Sequence, residues 1–193
     1  MVSSDPERLL AALPTLPLRS PGPKAPSSFL TWRWPMILPY AGFTPVERVQ
    51  HWQIARWLIA AGCITVPRHC AICGSTDKVG FHSENYYSVV RSPALCSLCH
   101  QRLHRRFSRP AAWADLMKDH VRTGSEWFAM LPNTNYDLAG YLRRTCGEHL
   151  RDLRADPALL ACPGIADLLP RNLHRADGGM DADQTQPDLF SFR

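Results

Sequence analysis

The chain has no run of about 18 apolar residues, so no segment is expected to cross a bilayer as a helix. Its first eight residues, Met1 to Arg8, carry acid and proline and no long apolar stretch, which is not the pattern of a secretory signal. No segment repeats another at a fixed period. Neither sign of charge dominates: 22 Lys and Arg face 17 Asp and Glu, a net +5. That mild excess favours an anionic partner, nucleic acid before membrane, without deciding the matter. Cysteine is odd in number, seven in 193 residues. With no export signal, the expected compartment is the reducing cytoplasm, where paired cysteines serve metals rather than disulfides. The three unpaired ones, Cys63, Cys146 and Cys162, read as small buried residues or spare thiols.

Proline is plentiful, with 17 residues, nine of them within the first 45. Residues 1–40 are therefore expected to be mostly extended. The exception is Asp5 to Leu13, where Asp5 can cap a short helix and Pro6 suits its first position. Trp32 and Trp34 are expected to pin the extended stretch onto the domain. A second helix starts at Thr44-Pro45-Val46-Glu47, a capping box with proline at the first helical position. Val46, Val49, Ile54, Trp57, Leu58 and Ala61 then recur at helical spacing, and Gly62 stops it. Arg48, Gln50, Gln53 and Arg56 fall largely on other faces.

The most specific pattern is Cys70-x2-Cys73 answered by Cys96-x2-Cys99. A two-residue gap lets two thiolates from one tight turn reach one ion, and two such turns complete a tetrahedral site. The spacing predicts a structural zinc with no open coordination position. Between the knuckles, Val79-Gly80-Phe81 and Tyr86 to Val90 read as two strands around a polar bend at His82 to Asn85. Behind the second knuckle, a helix carries His100 and His104 and ends near Phe107. Helical patterns continue over Pro110 to Val121, Ser125 to Leu131 and Asp137 to Leu153. From Ala176 the composition turns to Asp, Gly, Gln and Pro, the signature of a disordered tail.

Residues 70–107 resemble the HNH endonucleases, in which a ββα unit holds one catalytic divalent ion against a scissile phosphate. By that resemblance His82 is the strand-end metal ligand, His100 the helix ligand, and His104, one turn on, an auxiliary ligand. The resemblance implies a catalytic Mg²⁺ or another divalent ion in addition to the zinc. Two positions depart from the family pattern. Ser83 stands where the family usually has its His general base, and the family's central Asn falls near Arg91. Glu84 or Asn85 would have to serve from the bend instead. Without the catalytic chemistry, His82 is a turn-stabilising bend residue, and His100 and His104 belong to a solvated or phosphate-binding helix face.

Arg91, Arg102, Arg105, Arg106 and Arg109 form the expected nucleic-acid footprint, since guanidinium forks suit phosphate oxygens. No base-reading element is recognisable. The tail segment Gln186-Pro187-Asp188-Leu189-Phe190 resembles the peptide with which bacterial replication and repair proteins bind the sliding clamp. That resemblance gives Gln186, Asp188, Leu189 and Phe190 as clamp contacts.

The expectation is thus an α+β protein with a zinc-bound ββα module embedded among amphipathic helices, and disordered termini. Its parts are a Pro-rich segment (1–40), a helix plus module (41–109), a helical part (110–175) and a tail (176–193). The expected function is a bacterial, metal-dependent DNA endonuclease. The alternatives are a catalytically degenerate nucleic-acid-binding module and a protein-interaction adaptor.

Overall fold

A computed structural model describes residues 5–29, 38–171 and 173. The expected pinning tryptophans, Trp32 and Trp34, and the clamp-like segment around Gln186 to Phe190 lie outside the described residues. Helices and one small two-stranded sheet make up the described chain, an α+β arrangement. Among the described residues, no helix is long and apolar enough to cross a membrane.

Helix α1 (Pro6–Ala12) begins as its sequence predicts, with the Asp5 carboxylate accepting from the backbone N–H groups of Glu7 and Arg8. Beyond it residues 14–29 are tied to the rest of the fold. Leu16 N donates to Val90 O at 2.7 Å, Arg19 N to Cys63 O at 3.0 Å and Gly22 N to Ala61 O at 2.8 Å. Trp57 Nε1 donates to Pro26 O at 2.8 Å. Proline offers no backbone donor, and of the donors between the prolines those of Arg19 and Gly22 reach carbonyls at the end of the next helix.

That next helix, α2 (Pro45–Ala60), is the spine of the molecule. Thr44 and Glu47 close the capping box in both directions, with Thr44 N to Glu47 Oε2 at 2.8 Å and Glu47 N to Thr44 Oγ1 at 3.2 Å. Gly62, at φ +75°, ends it in the left-handed region that glycine tolerates. Its burial departs from a simple amphipathic stripe. Val46 is exposed, while His51 and Gln53 are buried beside Val49, Ile54, Trp57 and Leu58. Packing from several sides overrides periodicity here. His51 Nδ1 lies 3.2 Å from Tyr86 O, and Nε2 lies 3.4 Å from Ser92 Oγ, so the buried imidazole has partners for both nitrogens.

The sheet pairs β1 (Val79–Phe81) antiparallel with β2 (Ala94–Cys96), in the register Val79–Cys96, Gly80–Leu95, Phe81–Ala94. The expected second strand at Tyr86 to Val90 is not one. Asn85 Oδ1 accepts from Tyr87 N at 2.9 Å and Asn85 O from Ser88 N at 3.2 Å, which turns the chain instead. The β-prone residues Tyr87, Val89 and Val90 are buried from this turn against the α2 core. Directly after β2 comes α3 (Ser97–His104), and then α4 (Pro110–His120). The helix expected over Ser125 to Leu131 is a 3₁₀ turn at Trp127–Met130. The one expected over Asp137 to Leu153 ends early: α5 (Leu138–Cys146) stops at Gly147, φ +103°, and short 3₁₀ turns follow.

Apolar side chains form two clusters. One surrounds α2 and gathers Phe43, Ile54, Trp57, Leu58, Tyr87 and Leu138. The other surrounds the cysteine turns, covered by Leu9 and Leu13 of α1, Trp113 and Leu116 of α4, and Trp127 and Phe128. A tight turn at Ala41-Gly42, flanked by the Tyr40–Phe43 bridge, holds Tyr40 in place. Gly42 has φ +82°, and a methyl group there would overlap the Asp137 carboxylate, which caps α5 through Gly140 N at 2.8 Å. Gly42→Ala is expected to destabilise the protein by about 1–2 kcal/mol or more. At the size of this chain that is a melting-temperature drop of roughly 2–8 °C in a thermal scan.

Candidate metal centres

Two groups of ligand-type side chains converge, and each has its candidate ligand atoms within 4.8 Å of one another. The first is Cys70, Cys73, Cys96 and Cys99. In the first knuckle, Cys70 N donates to Ser75 O at 2.8 Å and Gly74 N to Cys70 O at 3.0 Å, with Gly74 at φ +74°. Ala71 N bonds Ala94 O at 2.7 Å and so ties this turn to β2. In the second, Cys96 ends β2 and caps α3, its sulfur accepting from Cys99 N at 3.5 Å. Ile72 N reaches Cys70 Sγ likewise, at 3.4 Å.

The sulfur of Cys73 lies 3.7 Å from that of Cys96. Tetrahedral bonds of about 2.3 Å to one zinc ion would set sulfurs about 3.8 Å apart. A hydrogen bond from Cys99, assisted by backbone N–H groups, draws the Cys70 thiol down to about 4. Giving that hydrogen bond pushes Cys99 up, and burial pushes Cys96 up. Four crowded sulfurs in an apolar cluster thus cannot all ionise unaided, and a divalent cation removes the conflict. The donor set fits a structural zinc. The three remaining cysteines stand apart: Cys63 is buried in the α2 core, Cys146 is exposed and Cys162 is half-buried.

The second group is His82, His100 and His104. His82 follows β1, with its backbone N–H on Pro93 O at 2.8 Å, and His100 and His104 stand one turn apart on α3. His82 Nδ1 lies 3.0 Å from His100 Nε2, and His104 Nε2 lies 2.9 Å from the same atom. Burial depresses the basicity of His104 to about 3 and that of His100 well below the imidazole range, and the nearby Arg48 charge adds to the effect. The rings of His100 and His104 are therefore held neutral, with lone pairs to give. Single protons cannot satisfy three nitrogens converging on one point, whereas a shared cation satisfies all of them.

His82 is oriented from behind. Its Nε2 lies 2.8 Å from Glu84 Oε1, and both side chains are essentially sealed from solvent, at 1% and 0% exposure. Tyr40 Oη donates to the same carboxylate oxygen at 2.7 Å, Tyr136 Oη donates to the other, and Arg106 Nη1 donates to Tyr40 Oη at 3.1 Å. Burial opposes the charge on Glu84, but the hydrogen bond from His82, the charge of Arg106 and the Tyr136 hydroxyl hold its carboxyl down to about 2. An ionised carboxylate only accepts, so the proton on His82 sits on Nε2. Nδ1 is left as the donor atom facing His100. Trp127 stacks on the imidazole, with centroids 6.3 Å apart and planes 20° apart.

Several expected roles are redistributed by this geometry. Glu84 is committed to His82 and two tyrosines and is not a free base. Asn85 spends its side-chain oxygen on the Tyr87 turn. Ser83 is buried, and its hydroxyl has no hydrogen-bond partner among the described residues. Arg106, expected on a phosphate-facing surface, is fully buried and donates to Pro132 O and Leu103 O, both at 2.9 Å, as well as to Tyr40. Arg91 is half-buried and bonds Leu10 O, tying α1 down. Arg105 and Arg109 are exposed and Arg102 is half-buried. The expected Mg²⁺ does not suit the site, because it seeks hard oxygen ligands, whereas three imidazoles suit zinc, cobalt or nickel.

Sequence reasoning missed Tyr40, Tyr136 and the buried role of Arg106, since nothing in local spacing marks a residue 44 or 52 positions away as a partner of Glu84. Comparison of the chain with protein-family models, curated proteins and solved structures finds no match.

Cys96→Ser is expected to cost one bound zinc per chain by elemental analysis. Structural zinc contributes about 10–16 kcal/mol in small zinc-dependent units, so the variant should also lose the cooperative melting transition of the cluster around the knuckles. Glu84→Gln removes the charge behind His82 and should weaken cobalt binding at the histidines by about 10- to 100-fold in a spectroscopic titration, with zinc held at the cysteines.

Proposed function

We propose that the chain is an HNH-type, metal-dependent endonuclease that hydrolyses DNA phosphodiester bonds, its β1–β2–α3 unit stapled by zinc at the four cysteines. The observation that carries this reading is the convergence of His82, His100 and His104 on a point separate from the four sulfurs. His104 also lines an open cleft, so one side of that point is reachable from solvent. A closed structural centre needs no such opening.

A divalent transition-metal ion held by these imidazoles would supply Lewis-acid stabilisation of the charge that develops on a phosphate and its leaving oxygen. The protein's own residues do the rest. Glu84 fixes which nitrogen of His82 faces the site, and Tyr40, Tyr136 and Arg106 fix Glu84. Trp127 covers His82 from the side of the second apolar cluster. Arg102, Arg105 and Arg109, on α3 and just after it, attract the polyanionic backbone without reading sequence.

A second reading is favoured by Ser83. A buried serine without a partner is no general base, and loss of a base slows hydrolysis by about two to four orders of magnitude. The chain would then be a zinc-stabilised nucleic-acid-binding module. Both readings meet in one experiment: nicking of supercoiled plasmid by purified protein with zinc, manganese, cobalt, nickel or magnesium. Nicking with the transition metals, weaker with magnesium and lost in His82→Ala and His100→Ala, is the expected result. Salt-sensitive DNA binding with no nicking in any metal selects the second reading, and activity that survives both substitutions removes the histidine centre from the chemistry.

A further inference from the structure

The cleft that reaches the histidine centre has a composition of its own. It measures about 670 Å³, within the roughly 300–1,000 Å³ typical of sites that enclose a small molecule. Tyr40 and His104 belong both to it and to the histidine centre, so anything seated in the cleft adjoins that centre. Phe107 and the exposed segment Asn133-Thr134-Asn135 also line it. None of the described side chains lining it is acidic.

Charge and aromatic surface lie where an anionic, planar ligand needs them. The guanidinium carbons of Arg48 and Arg106 stand 5.5 and 5.8 Å from the Tyr40 ring. Arg48 is anchored there through Leu38 O and, at 3.2 Å, through Tyr86 Oη. Glu84, bonded to Tyr40, balances Arg106, so Arg48 is the cation in excess behind this wall. Phe107 is 38% exposed, an unusual position for a large aromatic. The buried guanidinium of Arg106 lies 4.2 Å from its centroid and braces the ring. The Asn133 and Asn135 side chains offer amide donors and acceptors of the kind that meet base edges.

We infer that this cleft is a subsite for an unpaired nucleotide of the DNA strand whose phosphate lies at the histidine centre, its base stacked on Phe107. The inference rests on the endonuclease reading for its choice of ligand, but it concerns binding and is tested without cleavage. Strand-binding proteins likewise place an aromatic platform beside cationic side chains, here Phe107 beside Arg48 and the exposed Arg105 and Arg109. A base paired within a duplex has both faces stacked already and cannot use such a platform, so the subsite selects single-stranded, frayed or gapped DNA.

The test is fluorescence anisotropy with the zinc-loaded, full-length protein. The probe is a fluorescein-labelled oligothymidine strand with phosphorothioate linkages, which resists hydrolysis, beside a blunt duplex of equal length. The strand is expected to bind more tightly than the duplex. Phe107→Ala should weaken strand binding about tenfold, Phe107→Tyr should keep it, and Asn135→Ala should weaken it several-fold, all three leaving duplex binding unchanged. Wild-type affinity for the strand in both alanine variants, or equal affinity for duplex and strand, overturns the subsite. Absence of nicking together with these losses defeats the endonuclease reading and keeps the nucleotide site. Nicking without these losses does the reverse.

Discussion

The carboxylate of Glu84 is the constraint on which the rest of the site depends. An ionised carboxylate sealed from water is tolerated only when its lone pairs are occupied and its charge is balanced. Here His82, Tyr40 and Tyr136 occupy them, and Arg106 supplies balance through Tyr40. These partners come from the turn after the proline-rich segment, the end of β1, the end of α3 and the segment before α5. The carboxylate therefore converts the positions of four separate stretches into one orientation of one imidazole. This also explains the turn at Ala41-Gly42: a bulkier residue in that left-handed geometry would push Tyr40 off the carboxylate or Asp137 off the cap of α5.

A zinc ion at the four cysteines would have a separate task. Strands of three residues and a helix of eight are too short to persist by their own hydrogen bonding. Cys96 ends β2 and caps α3, Cys99 lies in the first turn of α3, and Cys70 and Cys73 come from a turn bonded to β2. An ion shared by those sulfurs fixes the start of α3 and the strand before it, and so fixes the direction in which His100 and His104 project. The apolar shell of Leu9, Leu95, Trp113 and Leu116 keeps the sulfurs from water, which strengthens the case for a cation among them. One candidate centre would thus serve as the scaffold, the other gathers the three imidazoles, and α3 belongs to both.

Much of the local structure was legible in the sequence because it rests on short-range chemistry. The Asp5 and Thr44 caps, the stop at Gly62, the two knuckles and the α3 pair His100 and His104 depend on contacts within a few residues. Tyr86 to Val90 was misread because its β-branched and aromatic composition serves burial in a turn rather than a ladder, with Asn85 bending the chain. Arg106 was misread for the complementary reason: a run of basic residues along a helix reads as a solvated or phosphate-binding face, yet one of the run points inward to Tyr40 and Pro132. His51 and Gln53 on α2 are buried because the helix is covered from several sides, which a one-sided periodicity does not register.

By itself the sequence determined the four-sulfur centre and the pairing of His100 with His104, since ligand spacing in a tight turn and one turn of helix are properties of neighbouring residues. It also determined that Ser83, not histidine, follows His82. Only the tertiary structure decided that His82 meets those two histidines, that Glu84 stands behind it rather than acting as a base, and that a cleft with Phe107 at its side opens onto His104. Each of those facts joins residues that the chain separates widely. They arise from burial: a charged or polar group removed from water must find a partner, and the fold, not the local sequence, determines which one is near.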